Sequence, residues 1–140
     1  LDRVPGRQRL RVATAPGDRR PIAETGLGKA LLLDEPEEVW EDLYRQASGG
    51  KVSARAMKDY VAQMRVHKAR GYVLHDSELG DGVRSIAAPI RDARRQICIA
   101  LSIASAAHYL TDDIVDDLVA AIVATAGEIG EAVGYRAPRG

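Results

Sequence analysis

The chain has 140 residues, a length typical of one domain that buries its own core without disulfides or a structural metal. Its 20 Lys and Arg residues balance its 20 Asp and Glu residues, which argues against a module that itself binds nucleic acid. One cysteine, Cys98, excludes an internal disulfide and favours a reducing cytoplasm.

No apolar run reaches the ~18 residues of a membrane span, so no membrane partner is expected. Because the first methionine is Met57, we expect a fragment of a longer protein.

Turn signals and hydrophobic periodicity predict one mixed domain of helices and strands. The predicted elements, in chain order, are a hairpin over residues 1–14, a short helix over 26–33 capped by Thr25, a helix from Pro36 to Gly49, a helix from Ser53 to Gly71, strands over 72–75, 83–90 and 97–104, and a long helix from Thr111 to Gly134.

The last predicted strand separates large from small side chains. The large set is Ile97, Ile99, Leu101 and Ile103, and the small set is Cys98, Ala100, Ser102 and Ala104. A sheet packed equally on both sides rarely divides volume in this way. We therefore expect helices over the bulky face, and a cavity or a close neighbour over the small face.

The segment Gly26-Leu27-Gly28-Lys29 suggests a phosphate loop but does not match one. A Walker A loop needs a glycine where Ala23 stands and a hydroxyl residue where Ala30 stands. Two readings stay open: a tight turn with a solvated lysine, or backbone N–H groups that bind a small carboxylate or polar ligand.

The remaining reactive side chains form no catalytic or metal-binding pattern, and we predict no catalytic residue, metal or cofactor. His67 and His108 are expected at the surface, as are the arginines of the turn at 91–95. Cys98 is expected to be a small buried filler. His75, at a strand end, is either a satisfied polar residue or a ligand contact.

Several ordered motifs resemble one family, the C-terminal effector-binding domains of IclR-type transcriptional regulators. They are residues 19–32 (RRPIAETGLGKALL), 70–72 (RGY), Glu78, 82–90 (GVRSIAAPI) and 100–104 (ALSIA). The resemblance implies a GAF-like α/β (α+β) domain over residues 1–140, whose antiparallel sheet has helices on one face and a ligand pocket on the other. It also implies a preceding winged helix-turn-helix DNA-binding domain, which is absent from this chain.

The family's ligand contacts, transferred by motif position, define seven candidate ligand-binding residues. They are Gly26, Leu27, His75, Val83, Ser85, Ser102 and Ala104. The resemblance leads us to expect an acid where His75 stands and a hydroxyl where Ala104 stands, so this pocket differs in polarity. Apolar walls with few polar contacts suit an organic acid with an apolar or aromatic body.

We therefore expect a non-enzymatic, cytoplasmic sensing domain that binds a small-molecule effector and controls operator DNA binding through the missing domain. The resemblance also implies a homo-oligomer, either a dimer or a dimer of dimers. One alternative is a structural dimerisation domain with a vestigial pocket, and another is an enzyme that uses Cys98 or His75. If His75 contacts an anionic effector, its protonation should strengthen binding as pH falls.

Overall fold

The computed structural model describes residues 17–77 and 82–137, in which four α-helices surround a three-stranded antiparallel sheet. The predicted hairpin over residues 1–14 lies outside the described residues. The elements are α1 (Gly26–Leu31), α2 (Glu37–Ala47), α3 (Ala54–Arg70), β1 (Val73–Asp76), β2 (Val83–Arg91), β3 (Ile97–Ala106) and α4 (Asp112–Ala132). None of the described helices is long and apolar enough to cross a membrane.

Local capping chemistry sets the helix ends, as the sequence predicts. The side chain of Thr25 accepts a hydrogen bond from the Gly28 N–H, and that of Ser53 accepts one from the Ala56 N–H. Gly71 ends α3 in the left-handed conformation, with φ of 81°, which costs a glycine little. These caps set the start of α1 and both ends of α3.

The two faces of the sheet belong to two separate hydrophobic clusters. The first cluster joins Ile86, Ala88 and Ile90 of β2 to Val115, Ile122 and Ala126 of α4. The second joins Val73 and Ala87 to Ala30, Trp40, Tyr60, Val61 and Met64 from the first three helices. Consecutive β2 residues alternate between the clusters because strand side chains alternate between faces. The predicted α+β class with an antiparallel sheet is confirmed.

The face of small residues has a close neighbour, which is helix α1. This helix contacts all three strands. A β-carbon added at Gly26 would lie 2.3 Å from the Ser85 Oγ, so backbone and strand are in direct contact there. The structure thus adds a helical layer on the side where the resemblance implied only a pocket.

A bulge in β3 corrects two expectations about its first residues. Ile90 pairs with Ile99 and Arg91 pairs with Ile97, so Cys98 is an extra residue between them. The bulge turns Ile97 toward the cluster under α1, away from the face of Ile99. It also leaves Cys98 exposed, so the prediction of a buried filler was wrong.

Candidate functional site

Three of the seven predicted ligand-binding residues meet where α1 crosses the sheet. His75 of β1 pairs in register with Ser85 of β2. A β-carbon on Gly26 would lie 3.3 Å from the His75 Cβ as well as against Ser85. His75 is only 8% exposed. The structure therefore brings Gly26, His75 and Ser85 together.

The other four predicted residues lie around this contact. Ser102 pairs with Ala87 and Ala104 pairs with Ser85, which places both on the same face as His75. Val83 belongs to that face two residues before Ser85. Leu27, on α1, is half-buried. Their role in ligand binding remains a prediction.

One of the two readings of the loop put Lys29 in solvent, and that reading of Lys29 is wrong. Its side chain is 1% exposed, and its Nζ lies 3.2 Å from the Nδ1 of His75 and 5.4 Å from the centre of the Tyr60 ring. An ammonium group only donates hydrogen bonds, so the Nδ1 of His75 accepts one. The proton of neutral His75 therefore sits on its Nε2.

His67 was expected at the surface, but it is buried in the interior side of α3 with 8% exposure. Burial lowers the pKa of His67 to about 4, with further lowering by the charges of Lys29, His75 and Arg70. Its buried Nδ1 has no hydrogen-bond partner in the part of the chain described here. His67 is therefore neutral at pH 7.

The sequence did contain a signal for this burial. His67 follows Tyr60 by seven residues and Met64 by three, so it continues the apolar stripe of α3. A histidine on that stripe is turned toward β1 and α1. The residue type of His67 predicts a solvated side chain, whereas the helical spacing predicts a buried one, and the structure follows the spacing.

A cleft of about 460 Å³ opens between α3 and β1, beside His75. Its walls are Ala62, Gln63, Val66 and His67 of α3 and Leu74, His75 and Asp76 of β1, together with Lys29 of α1. The volume falls in the range of ~300–1,000 Å³ typical of small-molecule sites. Of the seven predicted residues, His75 alone lines this cleft, whereas Lys29 and His67 were missed.

The carboxylate of Asp76 is paired with an arginine. Asp76 lines the cleft, but its Oδ1 accepts a hydrogen bond of 2.7 Å from the Nε of Arg84. The same arginine donates to Asp112 and to the Leu110 carbonyl, which ties the end of β1 to the start of α4. The guanidinium therefore offsets much of the Asp76 charge.

The glycine-containing loop at residues 26–29 mainly forms a tight turn and packs closely against the preceding segment. Its Gly28 N–H donates to the Thr25 Oγ1 and its Lys29 N–H donates to the Thr25 carbonyl, so neither is available to a ligand. Gly28 also packs against the Ile22 carbonyl, where a side chain does not fit. Of the two readings of the loop, the tight turn fits these contacts.

One of the arginines predicted at the surface has a structural role. Arg91 forms a two-pronged ion pair with Asp34, which lowers the pKa of that carboxyl group, chiefly through the hydrogen bond. The pair joins the end of β2 to the segment after α1. Arg94, Arg95 and His108 are exposed, as predicted.

A family model, curated relatives and solved structures all match this chain to bacterial regulators of transcription. Residues 1–131 match the family model described as bacterial transcriptional regulator IclR C-terminal. The acetate operon repressor of Salmonella typhimurium is 34% identical over 140 residues, and the transcriptional repressor IclR of Escherichia coli is 32% identical. In both cases the match covers 96% of this chain and 50% of the relative, so the chain spans about half their length.

Solved structures share the fold. The repressor BlcR of Agobacterium tumefaciens superposes with a TM-score of 0.73 at 25% identity, over 89% of this chain and 51% of that one. The C-terminal domain of the E. coli regulator KdgR gives a TM-score of 0.67 at 22% identity, over 84% of this chain and 74% of that one, and shows the fold alone.

These relatives are regulators of transcription and not enzymes, so the non-enzymatic interpretation is confirmed at the level of the family. The match extends over nearly the whole chain and includes the glycine-containing loop and the strands around His75. The chain belongs to the family of IclR-type bacterial transcriptional regulators and corresponds to their C-terminal domain.

Proposed function

We propose that this chain is the ligand-sensing domain of a cytoplasmic transcriptional regulator. It binds a small organic metabolite, acidic and with an apolar or aromatic body, and thereby changes operator binding by a DNA-binding domain in the full-length protein. Control of this kind needs only ~1–3 kcal/mol of coupling between the two sites. A ligand that contacts α1, α3 and the sheet together is well placed to supply this coupling free energy.

The observation that carries this proposal is the open cleft beside His75. A purely structural dimerisation domain gains stability by filling such a space with side chains, whereas a sensor keeps it available. The walls combine three apolar side chains, among them Val66 and Leu74, with five polar or charged ones, a mixture that suits a ligand with an apolar body and a polar group.

Self-association forms part of the same proposal, as a homodimer or a dimer of dimers. Large apolar side chains are exposed on β3 and on α4, among them Ile99, Ile103, Ile114 and Val123. They lie away from the cleft, so a second copy could cover them without closing it.

A substitution on the small face tests the seven predicted residues. We expect Ser102→Leu to fold but to lose the response to ligand, because the larger side chain takes up space on the small face of the sheet, which also carries His75. The matched control is Ser105→Leu, which puts the same change on the opposite face of the same strand. The measurement is thermal unfolding with a panel of carboxylic acids and their neutral methyl esters.

In the wild type, at least one compound should raise the unfolding temperature. A ligand at a hundred times its Kd stabilises the domain by ~2.7 kcal/mol. If no compound stabilises the wild type, the sensing function is wrong. If Ser102→Leu responds as strongly as Ser105→Leu, the predicted residues do not form the site.

A further inference from the structure

We propose that Lys29 is a positioning residue for His75: it keeps the imidazole neutral, with its single proton on Nε2, and contacts no ligand itself. The proposal rests on the sensing function and deepens it, because His75 belongs to the predicted site and also lines the cleft. It replaces the expectation, drawn from the sequence, that His75 gains a proton as pH falls.

The first support is that the protein itself holds the Lys29 ammonium in place. The side chain is 1% exposed, and its Nζ lies 3.2 Å from the Nδ1 of His75. The ammonium also lies over the ring of Tyr60, 5.4 Å from its centre, and this ring stacks on that of Tyr44 at 4.0 Å. An aromatic face attracts a cation placed over it. The ammonium is therefore fixed beside the His75 ring.

The second support is the tight turn that leads into Lys29. Thr25 caps α1, and its carbonyl accepts a hydrogen bond from the Lys29 N–H. Gly28 packs against the Ile22 carbonyl, where a side chain does not fit. These contacts fix the first turn of α1 and with it the direction from which Lys29 reaches the sheet. The close packing of the loop thus has a role at the site, which is to bring Lys29 to His75.

The third support is the restraint on the His75 ring. His75 is 8% exposed, and the Gly26 backbone approaches it so closely that an added β-carbon would lie 3.3 Å from the His75 Cβ. A flip of the ring would move Nδ1 away from Lys29 and break a buried hydrogen bond. The ring therefore keeps Nδ1 toward the ammonium.

This hydrogen bond decides where His75 holds its proton. A neutral imidazole has one N–H and one acceptor nitrogen, and only the acceptor can meet an ammonium N–H. A second proton would have to enter at Nδ1, where it would break the hydrogen bond and point at the ammonium. Lys29 also makes other interactions. They do not change this requirement, because an N–H occupies the Nδ1 whether or not the charge of Lys29 is offset.

The charged and titratable groups of the described elements around His75 are Lys29 of α1, His67 and Tyr60 of α3, Asp76 of β1 and Arg84 of β2. His67 is neutral at pH 7, because burial lowers its pKa to about 4. The Asp76 carboxylate accepts a hydrogen bond of 2.7 Å from Arg84. Within the described part of the chain, these groups therefore place no unpaired negative charge beside His75 that would favour a second proton.

The arrangement gives this position a fixed hydrogen-bonding pattern. Because Nε2 carries the proton, any group that bonds to it, from the protein or from a ligand, does so as an acceptor. An ionised acidic residue, which the family resemblance implies at this position, only accepts hydrogen bonds. His75 held by Lys29 therefore reverses the polarity of the position, and the site selects against a ligand that presents only a donor there.

The test is the ring-nitrogen NMR spectrum of the chain without ligand. The chain has three histidines, so their signals can be followed individually after labelling with nitrogen-15 histidine. From about pH 8 to about pH 6, on both sides of the ordinary histidine pKa, His75 should keep a bare Nδ1 and a protonated Nε2. Exposed His108 should titrate over the same range, and its signals are assigned by their loss in His108→Gln.

A pair of lysine variants separates positioning from packing. Lys29→Met keeps an unbranched side chain but removes the donor, so the His75 nitrogens should shift toward the intermediate values of a ring that exchanges its proton between both sites. The matched control is Lys68→Met, which removes the ammonium that lies 5.6 Å from the centre of the Trp40 ring. It should leave the His75 signals unchanged.

Two outcomes would overturn the proposal. The first is a wild-type His75 that carries a proton on Nδ1 at any pH in the series, and this measurement does not depend on the folding of a variant. The second is a folded Lys29→Met variant whose His75 signals match those of the wild type, since a merely structural lysine would lower stability and leave the tautomer alone. Because no ligand is present, either failure leaves the sensing function to be decided by the thermal panel.

Discussion

Gly28→Ala is expected to destabilise the domain by about 3 kcal/mol or more, at the upper end of what overpacking costs. An alanine β-carbon at this position would lie 2.0 Å from the Ile22 carbonyl oxygen and 2.7 Å from its carbon. Both are backbone atoms, which cannot rotate aside as a side chain can. The helix α1 would have to move off the turn that precedes it, and its contacts with the sheet would change with it.

The matched control is Gly127→Ala, the same substitution inside α4. Nothing lies within 4 Å of an added β-carbon there, and alanine favours a helix over glycine by ~1 kcal/mol. Chemical denaturation of both variants is the measurement. A Gly28→Ala variant that unfolds at the wild-type denaturant concentration would show that Gly28 does not pack tightly against the Ile22 carbonyl.

Trp40→Ala should cost ~3–5 kcal/mol, the usual range for truncating a buried aromatic residue. Trp40 is 1% exposed and joins α2 to the cluster that includes Ala30 and Met64. Its Nε1 also donates a hydrogen bond of 2.6 Å to the Leu32 carbonyl just after α1. Because small domains are stable by only ~5–15 kcal/mol, this loss is a large share of the total.

A two-step series separates packing from hydrogen bonding. Trp40→Phe keeps most of the apolar volume and removes the indole donor to the Leu32 carbonyl, which still accepts a hydrogen bond from the Glu35 N–H, so a cost of ~0.5–1.5 kcal/mol is expected for the lost hydrogen bond. Tyr109→Ala removes a half-exposed ring outside this cluster and should change stability by less than ~1 kcal/mol. Denaturation midpoints that fall in any other order would contradict the role given to Trp40.

The sequence predicts the fold well because its signals are local. Caps at Thr25 and Ser53, the glycine at 71 and the alternation along the strands each depend on a few neighbouring residues, and the structure follows them. The β3 bulge is the exception among the strands. Nothing in the alternating pattern of residues 97–104 indicates an extra residue, so Ile97 was predicted on the wrong face and Cys98 was predicted to be buried although it is exposed.

The site is harder to predict, since it depends on which elements approach one another. The seven residues transferred from the family lie around the contact between α1 and the sheet. The sequence motifs were sufficient to predict that grouping. Lys29 and His67 look like ordinary surface residues in the sequence. Their burial comes from α1 crossing the sheet and α3 lying along β1, and these long-range contacts leave no local signal except the helical spacing of His67.

The most direct test of the central claim is a crystal structure of the chain with 4-bromobenzoate, whose bromine marks its position by anomalous scattering. We expect the bromine in the cleft between α3 and β1, with the ring against Val66 and Leu74. Bromine found only outside this cleft would contradict the claim that it binds the organic acid.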